Sequence, residues 1–250
     1  DHAKARDCLE RALAIKARFY GSDALELSPV LTRLGEAYGG LGDEKKRISV
    51  LSRAQPIQEN WYGVGHPIVA YTLMNLANAF GNIGIASMDK SLLERALVIQ
   101  ERAYGSDQPE VAITLRDLGN AYGRLGNHAQ KRDLLERALV IQERAHGRNH
   151  LEVAKTLTNL AIAYDDLCDN SESREMRKSA LVILDILERA LAIEERADGC
   201  DQAKMALALN NLGNAYNNLY EHKKAVDVLE RALAIKERTY GRNHPQVAIT

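Results

Sequence analysis

Apolar positions fall three and four residues apart along almost the whole chain. In HPIVAYTLMNLANAF, residues 66–80, Val69, Leu73, Leu76, Ala77 and Phe80 make one stripe, the pattern of a helix with a single buried face. In KRDLLERALVIQERA, residues 131–145, the stripe is Leu134, Leu135, Ala138, Leu139 and Ile141. Pro67, Pro109 and Pro245 stand in the first turn of the former kind of helix, where no backbone N–H is required. Gly147 and its counterparts follow the latter kind, where a left-handed C-terminal cap is expected. Links such as LGNH and GSDQ are short, so successive helices are predicted to be antiparallel neighbours. No stretch alternates with period two over a useful length, and no strand is predicted.

The two helices recur as a unit. LERAL begins at Leu9, Leu93, Leu135, Leu187 and Leu229, with a worn copy, LSRAQ, at Leu51; the successive intervals are 42, 42, 42, 52 and 42. Gly21, Gly63, Gly105, Gly147, Gly199 and Gly241 keep the same time, as do Tyr38, Phe80, Tyr122, Tyr164 and Tyr216. A fixed period of this length marks a solenoid, in which one helix pair cannot bury its stripe alone and gains stability by stacking on its neighbours. The predicted organisation is a single array over 1–250, with partial repeats at 1–21 and 242–250 and full ones at about 22–63, 64–105, 106–147, 148–199 and 200–241. A small residue recurs on the first helix at Gly35, Ala77, Gly119, Ala161 and Gly213. Glycine inside a helix costs about 1 kcal/mol relative to alanine, so close helix approach is the expected reason.

Four irregularities carry their own expectations. Pro56 lies deep in a second helix and predicts a kink or an early break near Gln55. Pro29 predicts that the preceding first helix begins at Ser28. The lone Trp61 occupies the place of Phe19 and is read as packing. The ten additional residues before Leu187 are read as lying inside one lengthened second helix, about 170–197, because Ala180–Ile183 repeats Ala138–Ile141 at an interval of 42. That reading predicts a sideways step of the stack or an apolar surface at Leu181, Val182, Leu184 and Ile186.

Leu115, Leu118, Gly119 and Tyr122, followed by Leu135, Ala138 and Leu139, resemble the tetratricopeptide repeat. The 42-residue period and the phrase ERAYGSDQPEVA most resemble the repeats of kinesin light chains. The resemblance implies an all-α, right-handed α-solenoid of stacked antiparallel helix pairs with a concave wall of first helices. One departure stands out: the family's alanine early in the second helix is kept at Ala225 but replaced by Arg47, Asp89, Lys131 and Ser173, which predicts looser packing there.

Two first-helix positions are not needed for the apolar stripe. One holds Arg33, Asn75, Asp117, Asn159 and Asn211; the other holds Glu36, Asn78, Asn120, Ile162 and Asn214. Asparagine is a poor interior helix former, so six of them need a compensating role. A carboxamide donates and accepts, which suits the main chain of an extended peptide; the alternative is that these amides tie neighbouring helices together. The resemblance implies the first role, and Arg33, Asn75, Asn78, Asp117, Asn120, Asn159, Asn211 and Asn214 are the candidate groove residues. Charges nearby are mixed, Arg33, Arg116, Arg124 and Lys155 beside Asp117, Asp165 and Asp166, without the basic pair that family members use to hold a peptide C-terminus. An internal segment of a protein partner is therefore expected.

Composition narrows the remaining classes. Thirty-three basic against 34 acidic residues give a net charge of -1, with no basic block to attract nucleic acid or anionic lipid. Uninterrupted apolar runs, Ala180–Leu184 among the longest, do not exceed five residues, against roughly 20 for a bilayer span. The opening DHAKARDCLE lacks the profile of a secretion signal. Cys8, Cys168 and Cys200 are odd in number and without metal-ligand spacing, as expected of reduced thiols in a cytoplasmic protein. No phosphate loop, nucleophile elbow or HExxH appears, so neither enzyme activity nor a cofactor or metal is predicted. The expected function is a protein-binding scaffold. The alternative is an architectural segment that self-associates end to end through uncapped terminal helices.

Overall fold

A computed structural model describes residues 2–148, 150–168, 184–193, 195, 202–218 and 221–241. All regular elements among them are helical: α1 (His2–Tyr20), α2 (Ser28–Gly40), α3 (Glu44–Tyr62), α4 (Pro67–Asn82), α5 (Ala86–Tyr104), α6 (Pro109–Arg124), α7 (His128–His146), α8 (Leu151–Cys168), α9 over residues 184–193, α10 (Gln202–Asn218) and α11 (His222–Tyr240). A 3-10 turn, Leu25–Leu27, precedes α2, which starts at Ser28 with Pro29 in its first turn. The chain divides into two compact units, Asp1–Leu125 and Gly126–Thr250. Each is an all-α solenoid segment of stacked helix pairs. Even-numbered helices from α2 onward are the first helices of their repeats, and each following odd-numbered helix is the second.

Local chemistry sets the helix ends. Asp43 and Asn127 cap α3 and α7 by accepting from the N–H of Lys46 at 3.1 Å and of Gln130 at 3.2 Å. Gly63 closes α3 at φ +85°, a conformation that any side chain would strain.

Within a repeat, α2 packs on α3, α4 on α5 and α10 on α11; between repeats, α3 meets α4, α5 meets α6 and α7 meets α8. A Cβ on Gly35 would lie 2.7 Å from the Leu51 side chain, and one on Gly213 would lie 2.6 Å from that of Leu229. The small first-helix position therefore admits the leading leucine of LERAL. Leu51, Leu93, Leu135 and Leu187 are fully buried, as are Ala54, Ala96, Ala138, Ala190 and Ala232.

The two charged letters of LERAL are spent between repeats. Its glutamate takes a phenol from the next first helix: Tyr122 to Glu94 at 2.8 Å, Tyr216 to Glu188 at 2.7 Å, and likewise Tyr38 to Glu10 and Tyr164 to Glu136. Its arginine reaches back to the preceding second helix: Arg95 to Glu59 at 2.9 Å, Arg189 to Glu143 at 2.7 Å, and Arg231 to Glu195. The worn copy shows the same logic by omission, since Ser52 replaces the glutamate where Phe80 replaces the tyrosine. Restoring both groups together, Ser52→Glu with Phe80→Tyr, is expected to stabilise the chain by about 0.5–1.5 kcal/mol. Neither single change should give that gain, and a double-mutant cycle of chemical denaturation reads the coupling.

Three expectations are corrected. Helix α3 runs without a break past Pro56 to Tyr62. Pro56 faces solvent, where water can serve the carbonyl it leaves unpaired. On the other face Ile57 and Gln58 are buried, and Gln58 Nε2 donates to Ser28 Oγ at 2.9 Å. Trp61 is 59% exposed, like Phe19 at the matching place, because the last turn of these second helices extends past the partner that would cover it. The replaced alanine does not loosen the helix pair in the repeats of α2–α3 and α4–α5: a Cβ on Gly39 would lie 3.2 Å from the Arg47 guanidinium, and one on Gly81 would lie 2.9 Å from Asp89 Oδ2. The charges also reach the next repeat, where Arg47 donates to Asn75 Oδ1 at 3.1 Å, Asp89 pairs with Arg124, and Lys131 lies 3.1 Å from Asp166.

Contact spacing also brackets the insertion. Tyr164 to Glu136 and Asp166 to Lys131 span 28 and 35 residues, the same as Tyr122 to Glu94 and Arg124 to Asp89. Glu188 to Tyr216 again spans 28, but Arg189 to Glu143 spans 46 where Arg95 to Glu59 spans 36. The ten extra residues thus enter after Asp166 and before Leu187, and the late LERAL is the copy in structural register. Ile186 is buried and Leu184 packs against the same core, so neither forms the apolar surface that was the alternative to a sideways step. Leu181, Val182 and the rest of the span read as 170–197, apart from 184–193 and 195, lie outside the described residues.

Candidate functional site

Consecutive first helices touch, α2 with α4 and α8 with α10, whereas consecutive second helices are bridged by long Arg–Glu pairs. Within each unit the first-helix side is therefore the tighter one, and the candidate residues lie on it.

On α2, Arg33 is exposed; Glu36 beside it accepts the Tyr71 hydroxyl of α4 at 2.7 Å. Burial and this carboxylate both raise the Tyr71 pKa, the hydrogen bond to Glu36 most, keeping the phenol a donor. Asn75 is committed: its oxygen accepts from Arg47 of α3, and its nitrogen donates to the Tyr71 carbonyl at 3.1 Å. It acts as a tie between helices, the alternative considered from the sequence. Asn78, one turn on, is exposed and makes no such bond.

Asp117 of α6 is half-buried at 3.5 Å from Arg116. Burial raises its pKa against the opposing pull of Arg116, and the nearby Asp89 adds to the rise. Asn120 and Asn159 are partly exposed, and Asn214 is exposed, without a hydrogen bond among the described residues. Asn211 is partly exposed, but its Nδ2 is buried and lacks a partner. The geometry thus leaves Arg33, Asn78, Asn120, Asn159 and Asn214 open and engages Asn75 and Asp117.

One position was missed from the sequence. Four residues before the first amide site stand Pro29, Tyr71, Ile113, Lys155 and Leu207; Tyr71, Ile113 and Leu207 are exposed large side chains. The available signal was that these residues depart from the buried stripe yet stay one helical turn from the amides. Each repeat therefore places an apolar or long side chain next to polar ones on this face.

His146 and His150 stack across the Gly147 cap with ring centroids 4.6 Å apart, and His150 Nδ1 accepts from the Glu152 N–H at 3.2 Å. Among the described residues, no three ligand-type side chains gather as a metal site would require, and no helix is long and apolar enough to cross a membrane.

Tetratricopeptide repeat models match residues 69–110 and 205–246, and 90–139 and 124–184, together more than half of the chain. A comparison with curated proteins returned no match. Among solved structures, BtubC (BKLC) from P. vanneervenii is similar over 98% of this chain and 94% of its own, with a TM-score of 0.76 and 21% identity. A putative kinesin light chain of Podosopora anserina with nearly identical TPR-like repeats is similar over 84% and 94%, with a TM-score of 0.66 and 22% identity. MamA from Desulfovibrio magneticus RS-1 is similar over 85% and 96%, with a TM-score of 0.57 and 13% identity. At these identities the likeness concerns the fold. The repeats, their helix pairing and the matching models establish that this chain belongs to the tetratricopeptide repeat family.

Proposed function

We propose that the chain is a protein-interaction scaffold whose first-helix face takes an extended internal segment of a partner, and that it catalyses no reaction. The observation that carries this reading is a division of labour between the two helices. Charged residues repeated on the second helices are consumed in joining repeats, whereas Asn78, Asn120, Asn159 and Asn214 on the first helices remain open. An amide left open on the tighter side of each stack can serve both backbone groups of a bound strand.

Selection of random peptides displayed on phage, using the whole chain as bait, tests this. Asn78→Ala with Asn120→Ala should weaken a selected peptide roughly 5- to 150-fold, from about 0.5–1.5 kcal/mol for each lost hydrogen bond, with little change in melting temperature. Asn75→Ala, which leaves the largely buried Arg47 guanidinium without its partner on α4, should instead lower the melting temperature. Peptides insensitive to the first change sink the groove reading.

A further inference from the structure

Most contacts between these repeats cannot tell one neighbour from another. The Tyr–Glu bonds, the Arg–Glu pairs and the buried leucines recur with the same chemistry, so any second helix could satisfy any following first helix. A repeat array with interchangeable junctions is prone to stack wrongly within a chain or swap repeats between chains. One position breaks the sameness. It holds Arg47, Asp89, Lys131 and Ala225.

Arg47 and Asp89 lie between the first helix of their own repeat and that of the next, and Lys131 faces the first helix of the next repeat. A Cβ on Gly39 would lie 3.2 Å from the Arg47 guanidinium, and one on Gly81 would lie 2.9 Å from Asp89 Oδ2 and 3.1 Å from Arg124 Nη2. Glycine at the end of the first helix thus makes room for the charge. Across the junction, Arg47 meets Asn75 at 3.1 Å and is flanked by Glu44 of its own helix at 3.3 Å. Asp89, fully buried, meets Arg124, with its second oxygen unpaired. Lys131, also buried, meets Asp166 at 3.1 Å, an oxygen that His128 Nδ1 approaches at 3.0 Å.

We infer that this position is an address: its charge, matched to the next first helix, specifies which repeat stacks on which. Two mismatches are repulsive: Asp89 set against α8 would face Asp166, and Lys131 set against α6 would face Arg124. Buried ion pairs are poor sources of stability, and their best attested use is to fix register. Alanine fits the position without distortion, as buried Ala225 shows in α11.

The test is refolding of the full chain from denaturant over a range of protein concentrations, under reducing conditions, read by size-exclusion chromatography with light scattering. The triple variant Arg47→Ala, Asp89→Ala, Lys131→Ala should melt no lower than the native chain. It should nevertheless lose native-mass product to swapped oligomers, increasingly so at higher concentration. The fourfold exchange Asp89→Arg, Arg124→Asp, Lys131→Asp and Asp166→Lys keeps the two junctions opposite in sign and should recover native-mass product as the native chain does, whereas Asp89→Arg with Arg124→Asp alone makes them alike and should lose it. A triple variant that refolds as completely as the native chain at every concentration overturns the proposal. So does a loss of product that merely follows a lowered melting temperature, or a fourfold exchange that recovers no better than the triple variant.

Discussion

Deletion of Ala180 through Arg189 abolishes the cooperative melting of the second unit, whereas deletion of Asp169 through Lys178 leaves it folded. Both remove ten residues and both restore the 42-residue interval to Gly199. They differ in what reaches the core. Leu187 is fully buried among Val153, Leu157 and Leu209, Glu188 holds Tyr216, and Arg189 holds Glu143. The first deletion removes all three and brings Arg177, ten places earlier, into the register of Leu187. An unpaired guanidinium in place of a core leucine belongs to the small class of changes that cost more than about 4 kcal/mol. The second deletion keeps the late LERAL and brings Ser179 to the place that Asn127 holds in α7, where a capping side chain is wanted. Circular dichroism melting, with hydrogen exchange in α8, α10 and α11, distinguishes the two. Equal stability of both products would mean that the register read from the contact spacing is wrong.

Arg124→Ala is expected to cost about 3 kcal/mol at neutral pH, since it strips the buried Asp89 of its partner; the exposure of Arg124 puts the loss at the low end of the usual range. The loss should shrink on acidification. Burial raises the Asp89 pKa above its ordinary value, and Arg124 opposes that rise, so its removal lifts the pKa further. A carboxyl whose folded pKa exceeds its unfolded one favours folding below the unfolded value and loses that contribution as pH rises through the folded value. The melting difference between native and variant should therefore narrow towards about pH 4. Asp117 adds to the trend, because burial raises it too and Arg124 is among the groups opposing the rise. A difference that widens on acidification would contradict the placement of Asp89.

Much of this architecture was legible because solenoid stacking repeats the same burial at the same interval. The leucine and alanine of LERAL, the small first-helix position and the start of α2 all follow from periodicity and helix-end chemistry. What escaped was cross-helix pairing. Glu94 and Arg95 look like an ordinary solvated pair in sequence, yet one serves the next repeat and the other the preceding one. Insertion register escaped for the same reason: ALVI at 180–183 imitates residues 138–141, and the contacts of Glu188 and Arg189 were needed to show which copy is in place. On the candidate face the sequence could not separate Asn75, bound to Arg47, from Asn78, which is open, since both are asparagines at repeating positions.

The scaffold reading is tested most directly by following the asparagine side-chain amide resonances of the labelled chain while a selected peptide is added. The account predicts that Asn78, Asn120, Asn159 or Asn214 shifts and saturates with the peptide while Asn75 keeps its bond to Arg47. Saturable binding that leaves all four unmoved and perturbs only second-helix residues would contradict it.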